Sequence, residues 1–247
     1  MRFNTAAATR EEFAISTKIQ MNEYENLAAY EVLSRFINAY QGKIVLASSL
    51  GAEDQVLTHM LRQIDPRIEI FTIDTGRLYP ETLQLLEETQ RQYNFRYKIY
   101  RPQQDSVKTG VEKNDRDTIY ESIANRRACC HMLKIEPLQR ALQGAGAWIT
   151  GLRREQSATR EALSVVTIDA AHSGIYKISP LANWHEQEVW DYIQEHDVPY
   201  NKLHDQGYPS IGCATCTRAV KPGEDIRAGR WWWESAEHKE CGLHRPG

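Results

Sequence analysis

The sequence predicts a parallel α/β fold, a doubly wound sheet with helices on both faces. Short apolar runs alternate with stretches of helical periodicity, and each run ends in a turn containing Ser, Asp or Gly. The intervening stretches have the length that crossover helices between parallel strands require.

From Glu23 to Tyr40, Leu27, Tyr30, Leu33, Phe36 and Ile37 recur at helical spacing, predicting a helix that Gln41-Gly42 ends. Lys43 to Ala47 (K-I-V-L-A) is a short buried strand, and Ser48-Ser49-Leu50-Gly51 is a turn. A helix from Ala52 to Ile64 puts Val56, Met60 and Ile64 on one face. The alternation then repeats: a strand over Ile68–Ile73, a turn at Asp74-Thr75-Gly76, and a helix over Tyr79–Tyr93 with Pro80 in its first turn. A further strand is predicted over Phe95–Tyr100 and a helix over Arg126–Leu133, which Pro137 kinks or restarts. Ala147–Thr150 (A-W-I-T) is a strand broken by Gly151. Asn183, with Glu186 three residues on, predicts a capped helix through Glu195.

Ligands of such sheets bind outside the carboxyl ends of the strands. Ser48–Gly51, Asp74–Gly76 and Gly151–Arg154 are therefore expected to line one crevice. Residues 1–22 are expected as a flexible polar segment and 23–200 as the α/β domain. Residues 201–247 are expected as an appendage of turns folded back over the sheet.

With 247 residues, 41% of them hydrophobic, the chain has enough apolar material for a sizeable core without disulfide staples. Its net charge of −3 argues against a nucleic-acid binder, so any anion site must come from local clusters of Arg and Lys. Met1 to Gln20 lacks the apolar stretch of a signal peptide, and no run is long enough to span a bilayer. A cytosolic location is expected, without membrane partners. There, five cysteines point to metal or catalytic chemistry rather than disulfides.

Four cysteines come in two couples, Cys129-Cys130 and Cys213-x-x-Cys216. Four thiolates satisfy Zn²⁺ or an iron–sulfur cluster. Adjacent cysteines point in different directions on a helix or strand, which is awkward for one small tetrahedral ion. A [4Fe–4S] cluster offers each thiolate its own iron over a wider span. Inert buried thiols, with a thioredoxin-like C-x-x-C, remain the third reading.

The loop Ser48-Ser49-Leu50-Gly51-Ala52-Glu53-Asp54 joins a strand to a helix, where backbone N–H groups and Ser hydroxyls suit an anion. It has no Walker A lysine, and a plain strand-to-helix turn is the alternative. Cations gather by segment: Arg126, Arg127 and Lys134 beside the adjacent cysteines, Arg153, Arg154 and Arg160 after the Trp148 strand, Arg227 and Arg230 before Trp231-Trp232-Trp233. This placement favours an anionic ligand, since Arg forks match phosphate and sulfate. The tryptophans read as packing that anchors the tail. Cys241 lies among His238, Lys239, His244 and Arg245, whose charge favours a thiolate. A nucleophile or an incidental exposed thiol are the two readings.

Together these segments resemble the assimilatory adenylyl-sulfate (APS) reductases, relatives of the phosphoadenylyl-sulfate (PAPS) reductases. The resemblance covers roughly residues 25–245 and rests on the Ser48–Asp54 loop, Ile73–Arg77, Cys129-Cys130 with Lys134, Thr150–Arg154 through Arg160, Cys213 to Cys216, Arg227 to Trp233 and Glu240–His244. It implies a doubly wound, Rossmann-like domain related to the adenine nucleotide alpha hydrolases. It also implies one [4Fe–4S] cluster on Cys129, Cys130, Cys213 and Cys216. By the same resemblance Cys241 attacks the sulfur of APS, AMP leaves, and thioredoxin or a similar dithiol releases sulfite from the cysteine S-sulfonate. Lys134, Arg227 and Arg230 would neutralise charge in that attack. Ile73 and Gly151 would hold the adenine, and Ser48, Ser49, Gly51, Asp54 and Arg160 would position the phosphate and ribose. A homo-oligomer is compatible with the chain.

Leu50 occupies a position where Ser is common in the family, and Leu133 one where some members carry Arg. The loop lacks the paired glycines and final Ser of the ATP pyrophosphatases, which argues against an ATP-dependent tRNA thiolation ligase. Family members that use only PAPS generally lack both cysteine couples, so the couples favour APS. A zinc-stabilised binding module is the non-enzymatic alternative.

Overall fold

The computed structural model describes residues 19–103 and 118–235. The chain enters through a 3₁₀ turn, Met21–Tyr24, and then α1, Ala29–Ala39. The single helix predicted over 23–40 is thus two pieces. Ala28 is extended and caps α1, while Ile19 and Met21 pack against the core, so the start of the described chain belongs to the fold rather than to a flexible segment. Residues 1–18 lie outside the described residues.

Strand β1, Ile44–Ala47, leads through the Ser48–Gly51 loop into α2, Ala52–Ile64. Strand β2, Glu69–Ile73, leads into α3, Pro80–Gln92. The extended Tyr79 caps α3 because the residue before a proline disfavours helical backbone. Strand β3, Lys98–Tyr100, starts three residues later than predicted. Asn94 turns through positive φ (49°), and the Tyr97 N–H donates to the Gln90 side chain instead of a sheet partner.

A one-turn α4, Thr118–Glu121, precedes α5, Ile123–Cys130, which Ser122 caps by accepting the Asn125 N–H. The helix runs on as a π segment, His131–Ile135, into α6, Glu136–Ala141. Here Pro137 neither breaks nor sharply restarts it. The Glu136 N–H bonds the His131 carbonyl five residues back, and the wider turn leads directly into a first turn of α6 where Pro137 needs no N–H partner.

Strand β4, Ala147–Ile149, is followed by a hairpin that the periodicity did not predict: β5, Val166–Asp169, and β6, Ile175–Ile178, joined through left-handed Ser173 and Gly174. Helix α7, Glu186–Glu195, closes the α/β unit. Its cap is His185, whose N–H bonds Glu188, not Asn183. The Asn183 carboxamide instead takes Arg154 and donates to the Glu25 carbonyl.

The sheet order is β3-β2-β1-β4-β6-β5, parallel throughout except for the β5–β6 pair. Successive side chains go to opposite faces. Ile44, Leu46, Ile70, Ala147 and Ile149 meet α1, α2, α3 and α7, whereas Val45, Phe71 and Trp148 meet Leu138 and Ala141 of α6. The chain proceeds from β1 to β2 on one side and returns to β4 on the other. The switch point therefore lies between β1 and β4, where this class of sheet opens a crevice. From Asn201 the chain is mostly turns, and it packs back on the unit: Asn201 donates to Thr82, and the Ala214 N–H to the Arg77 carbonyl. Among the described residues no helix is long and apolar enough to cross a membrane.

Arg126 fastens this segment. Its guanidinium makes a two-pronged pair with Glu234 (2.9 and 2.6 Å), almost fully buried on both sides, and lies over the Trp231 ring at 4.8 Å. Removing one member of a buried pair strands the other charge. Arg126→Ala is expected to lower unfolding free energy by about 3–5 kcal/mol in urea titrations. A loss under about 1 kcal/mol would mean that the pair is solvated.

Candidate active site

At the switch point the carboxyl ends of β1, β2 and β4 open into a cavity of about 270 Å³. Ser48, Ser49, Gly51, Asp54, Ile73, Gly151, Arg160, Lys134, Arg227 and Arg230 all line it, so the loops predicted to share one crevice do so. Three segments far apart in sequence supply its cations: Lys134, Arg153 with Arg160, and Arg227 with Arg230.

The β1 loop is braced from within. The buried Asp54 carboxylate accepts from the Ser49 N–H and hydroxyl, each at 2.7 Å, and the Ser48 hydroxyl accepts from the Leu50 N–H. This draws Leu50 into the left-handed region (φ 62°) and buries its side chain, a costly backbone for a branched residue. Gly151 sits against the same carboxylate. A Cβ there would fall 2.5 Å from Asp54 Oδ1, so only glycine lets the β1 and β4 loops meet. Asp54 is thus the joint between two loops as well as part of the cavity wall. Burial pushes its pKa up from 3.8 to about 6, against the opposing hydrogen bonds from Ser49 and Gly151.

The cations divide by partner. Arg153 pairs with Glu53 (2.9 Å) and Glu155 (3.0 Å), and Arg154 with Glu25 (2.9 Å), so both brace the β4 loop. Arg126 belongs to Glu234. Arg230 is buried over the Trp231 ring at 4.5 Å, donating to Ser210 and the Ile211 carbonyl, and reaches the cavity beside Arg227 and Arg160. Lys134, Arg160, Arg227 and Arg230, like Arg153, reach the cavity wall. Trp231 is buried as packing, whereas Trp232 remains 40% exposed.

The two cysteine couples meet. Cys129, Cys130, Cys213 and Cys216 are all buried and unbridged, and all line one small space with Arg77, Lys134 and Trp231. Among the described residues no three metal-ligand side chains close on a single ion position. Polar groups face the sulfurs: Thr75 Oγ1 is 3.3 Å from Cys213 Sγ, and Arg77 Nη1 is 3.5 Å from Cys129 Sγ. Burial pushes the Cys129 and Cys216 thiols up. Burial also raises Cys213, but Lys134, the Thr75 hydroxyl, Arg230 and Arg77 outweigh it and bring that thiol below its usual range. Lys134 and Trp231 line both this space and the large cavity, so the two sites share a wall. Cys241 lies outside the described residues. Arg77, beside the cysteines, and His204, in the cavity lining, had no predicted role. The Asp-Thr-Gly-Arg turn after β2 signals the first; nothing in the spacing signals the second.

A doubly wound, mostly parallel sheet with a cation-lined cavity at its switch point defines an α/β protein of Rossmann-like fold. Candida glabrata FMN adenylyltransferase shares this fold, with a TM-score of 0.54 at 16% identity over 89% of this chain and 82% of that one. Residues 43–219 match the phosphoadenosine phosphosulfate reductase domain, and the chain belongs to that family. An adenosine 5'-phosphosulfate reductase of Allochromatium vinosum is 55% identical over 88% of this chain and 84% of its own. One of Burkholderia cepacia is 52% identical over 82% and 80%. A solved PAPS reductase of Candida auris aligns with a TM-score of 0.68 at 28% identity, over 88% of this chain and all of that one.

The raised Asp54 pKa has a signed consequence. A carboxyl whose folded pKa lies above its unfolded value binds its proton more tightly in the native state. Its stabilising contribution is full below about pH 4 and is lost as pH rises through about 6, roughly 3 kcal/mol in all. Stability measured from pH 4 to 7 is expected to fall more steeply in the wild type than in Asp54→Asn. Parallel profiles would show that Asp54 keeps an ordinary pKa.

Proposed function

We propose that this protein is a cytosolic adenylyl-sulfate reductase of assimilatory sulfate reduction. It converts APS to sulfite and AMP, with thioredoxin or a similar dithiol as reductant. The observation that carries the reading is the wall formed by Lys134, which joins a nucleotide-sized, cation-lined cavity to four buried thiols. The names of the relatives at 52–55% identity support APS as substrate, and the two cysteine couples favour it over PAPS.

Cys129, Cys130, Cys213 and Cys216 would hold one [4Fe–4S] cluster. The donor set fits: four buried sulfurs around one space, faced by cations and a hydroxyl that offset thiolate charge. When bound, the group supplies a local field and orders Lys134 rather than carrying electrons.

In the reaction, the β1 loop N–H groups and Ser48 and Ser49 hold the phosphate, with Arg160 on the ribose and phosphate. The Ile73 and Gly151 backbones hold the adenine. A thiolate and a sulfate ester repel, and Lys134, Arg227 and Arg230 lower that barrier by neutralising charge where it concentrates. The Cys241 thiolate attacks the sulfate sulfur, forming an S–S bond. The bond from that sulfur to the phosphate oxygen breaks, and AMP leaves with the electron pair. A dithiol then attacks Cys241 Sγ. Sulfite departs with the electron pair of the S–S bond, and the second thiol resolves the mixed disulfide, restoring Cys241 and leaving the reductant oxidised.

Sulfite release with thioredoxin is expected to show a higher kcat/KM for APS than for PAPS. Equal or better turnover of PAPS would move the reading to a PAPS reductase. Cys241→Ser is expected to bind APS and release no sulfite, and wild-type turnover by that variant would remove Cys241 from the chemistry.

A further inference from the structure

The turn that follows β2 reaches both cysteine couples. Thr75 Oγ1 lies 3.3 Å from Cys213 Sγ, Arg77 Nη1 lies 3.5 Å from Cys129 Sγ, and the Arg77 carbonyl accepts the Ala214 N–H at 2.8 Å. The turn is built to hold this position. Asp74 accepts the Gly76 N–H at 2.9 Å and Arg101 Nε at 2.9 Å, and Thr75 Oγ1 accepts the Arg77 N–H at 3.2 Å. Gly76 takes a left-handed φ of 69°, which turns the chain back so that Arg77 points at the sulfurs.

Arg77 differs from Lys134 in one respect. Lys134 lines both the cysteine space and the nucleotide cavity, whereas Arg77 lines the cysteine space and is absent from the cavity wall. Among the described residues Arg77 forms no ion pair with a carboxylate, so the Cys129 sulfur is the acceptor that its guanidinium meets. A charged N–H donor on a thiolate ligand withdraws electron density from the sulfur and stabilises the more reduced, more negative state of the group it binds.

We propose that Arg77 is a positioning residue for the cysteine centre, donating to the Cys129 sulfur and tuning that centre's reduction potential without touching the nucleotide. The inference rests on the cluster reading above. Its test is spectroelectrochemical titration of the purified holoprotein, with iron and sulfide analysis, for wild type, Arg77→Met and Arg77→Lys. Arg77→Met removes charge and donor at similar length; Arg77→Lys keeps both in altered form. Arg77→Met is expected to retain wild-type iron and sulfide, shift the midpoint potential to more negative values and leave KM for APS unchanged, with Arg77→Lys recovering most of the shift. Cluster loss in Arg77→Met but not in Arg77→Lys would also support the electrostatic role. An unaltered potential in a cluster-bearing Arg77→Met, or cluster loss in both variants, would overturn it. A wild type without iron would instead sink the cluster reading itself.

Discussion

One helix has to serve two sites at once, and the geometry of the centre depends on how it does so. From Ile123 to Ala141 it carries Cys129 and Cys130 toward the C-x-x-C, Lys134 into the wall of the nucleotide cavity, and Leu138 and Ala141 against the sheet. A regular α-helix turns 100° per residue, so two adjacent cysteines diverge. The π segment directly after them shifts the phase of the later turns. Leu133 can then pack among the sulfurs while the next residue, Lys134, reaches the cavity. π segments commonly mark functional positions because they set side chains at angles that an α-helix cannot supply.

The sheet supplies the other half of the arrangement. Its reversal between β1 and β4 opens the crevice, and Asp54 locks the two loops that edge it. A floor carboxylate in a cavity intended for an anion is a liability. The donors from Ser49 and Gly151 disperse that charge, while burial raises the Asp54 pKa to about 6. Two of the cavity's cations, Arg227 and Arg230, come from the C-terminal turns, which Arg126 and Glu234 hold down through Trp231. Substrate charge would thus be met by residues whose segment is tied by a buried ion pair to the helix that carries Cys129 and Cys130.

Much of this was legible in the sequence. Alternation of apolar runs and helical stretches located β1, β2, β4 and the crevice, and the Cys-Cys and C-x-x-C couples pointed to one shared centre. The β5–β6 hairpin escaped because Thr167, Asp169 and Lys177 interrupt the apolar runs of its two short strands. Asn183 looked like a cap because its side chain can act as one; Arg154 and Glu25, distant in sequence, claim it instead. The same holds for the arginines. Arg126, Arg153 and Arg154 resemble anion ligands until Glu234, Glu53 and Glu25 are seen beside them. Local spacing reports which residues share a face of one element, and not which carboxylate another element brings across.

Four thiols acting as one iron-bearing centre against the nucleotide cavity are what the proposed chemistry most needs. Iron and acid-labile sulfide analysis of anaerobically purified protein, with its visible spectrum, tests this most directly. A brown protein with about four of each per chain is expected, and the colour should vanish when Cys129, Cys130, Cys213 or Cys216 is replaced singly by alanine. Stoichiometric zinc with no visible absorbance would contradict it.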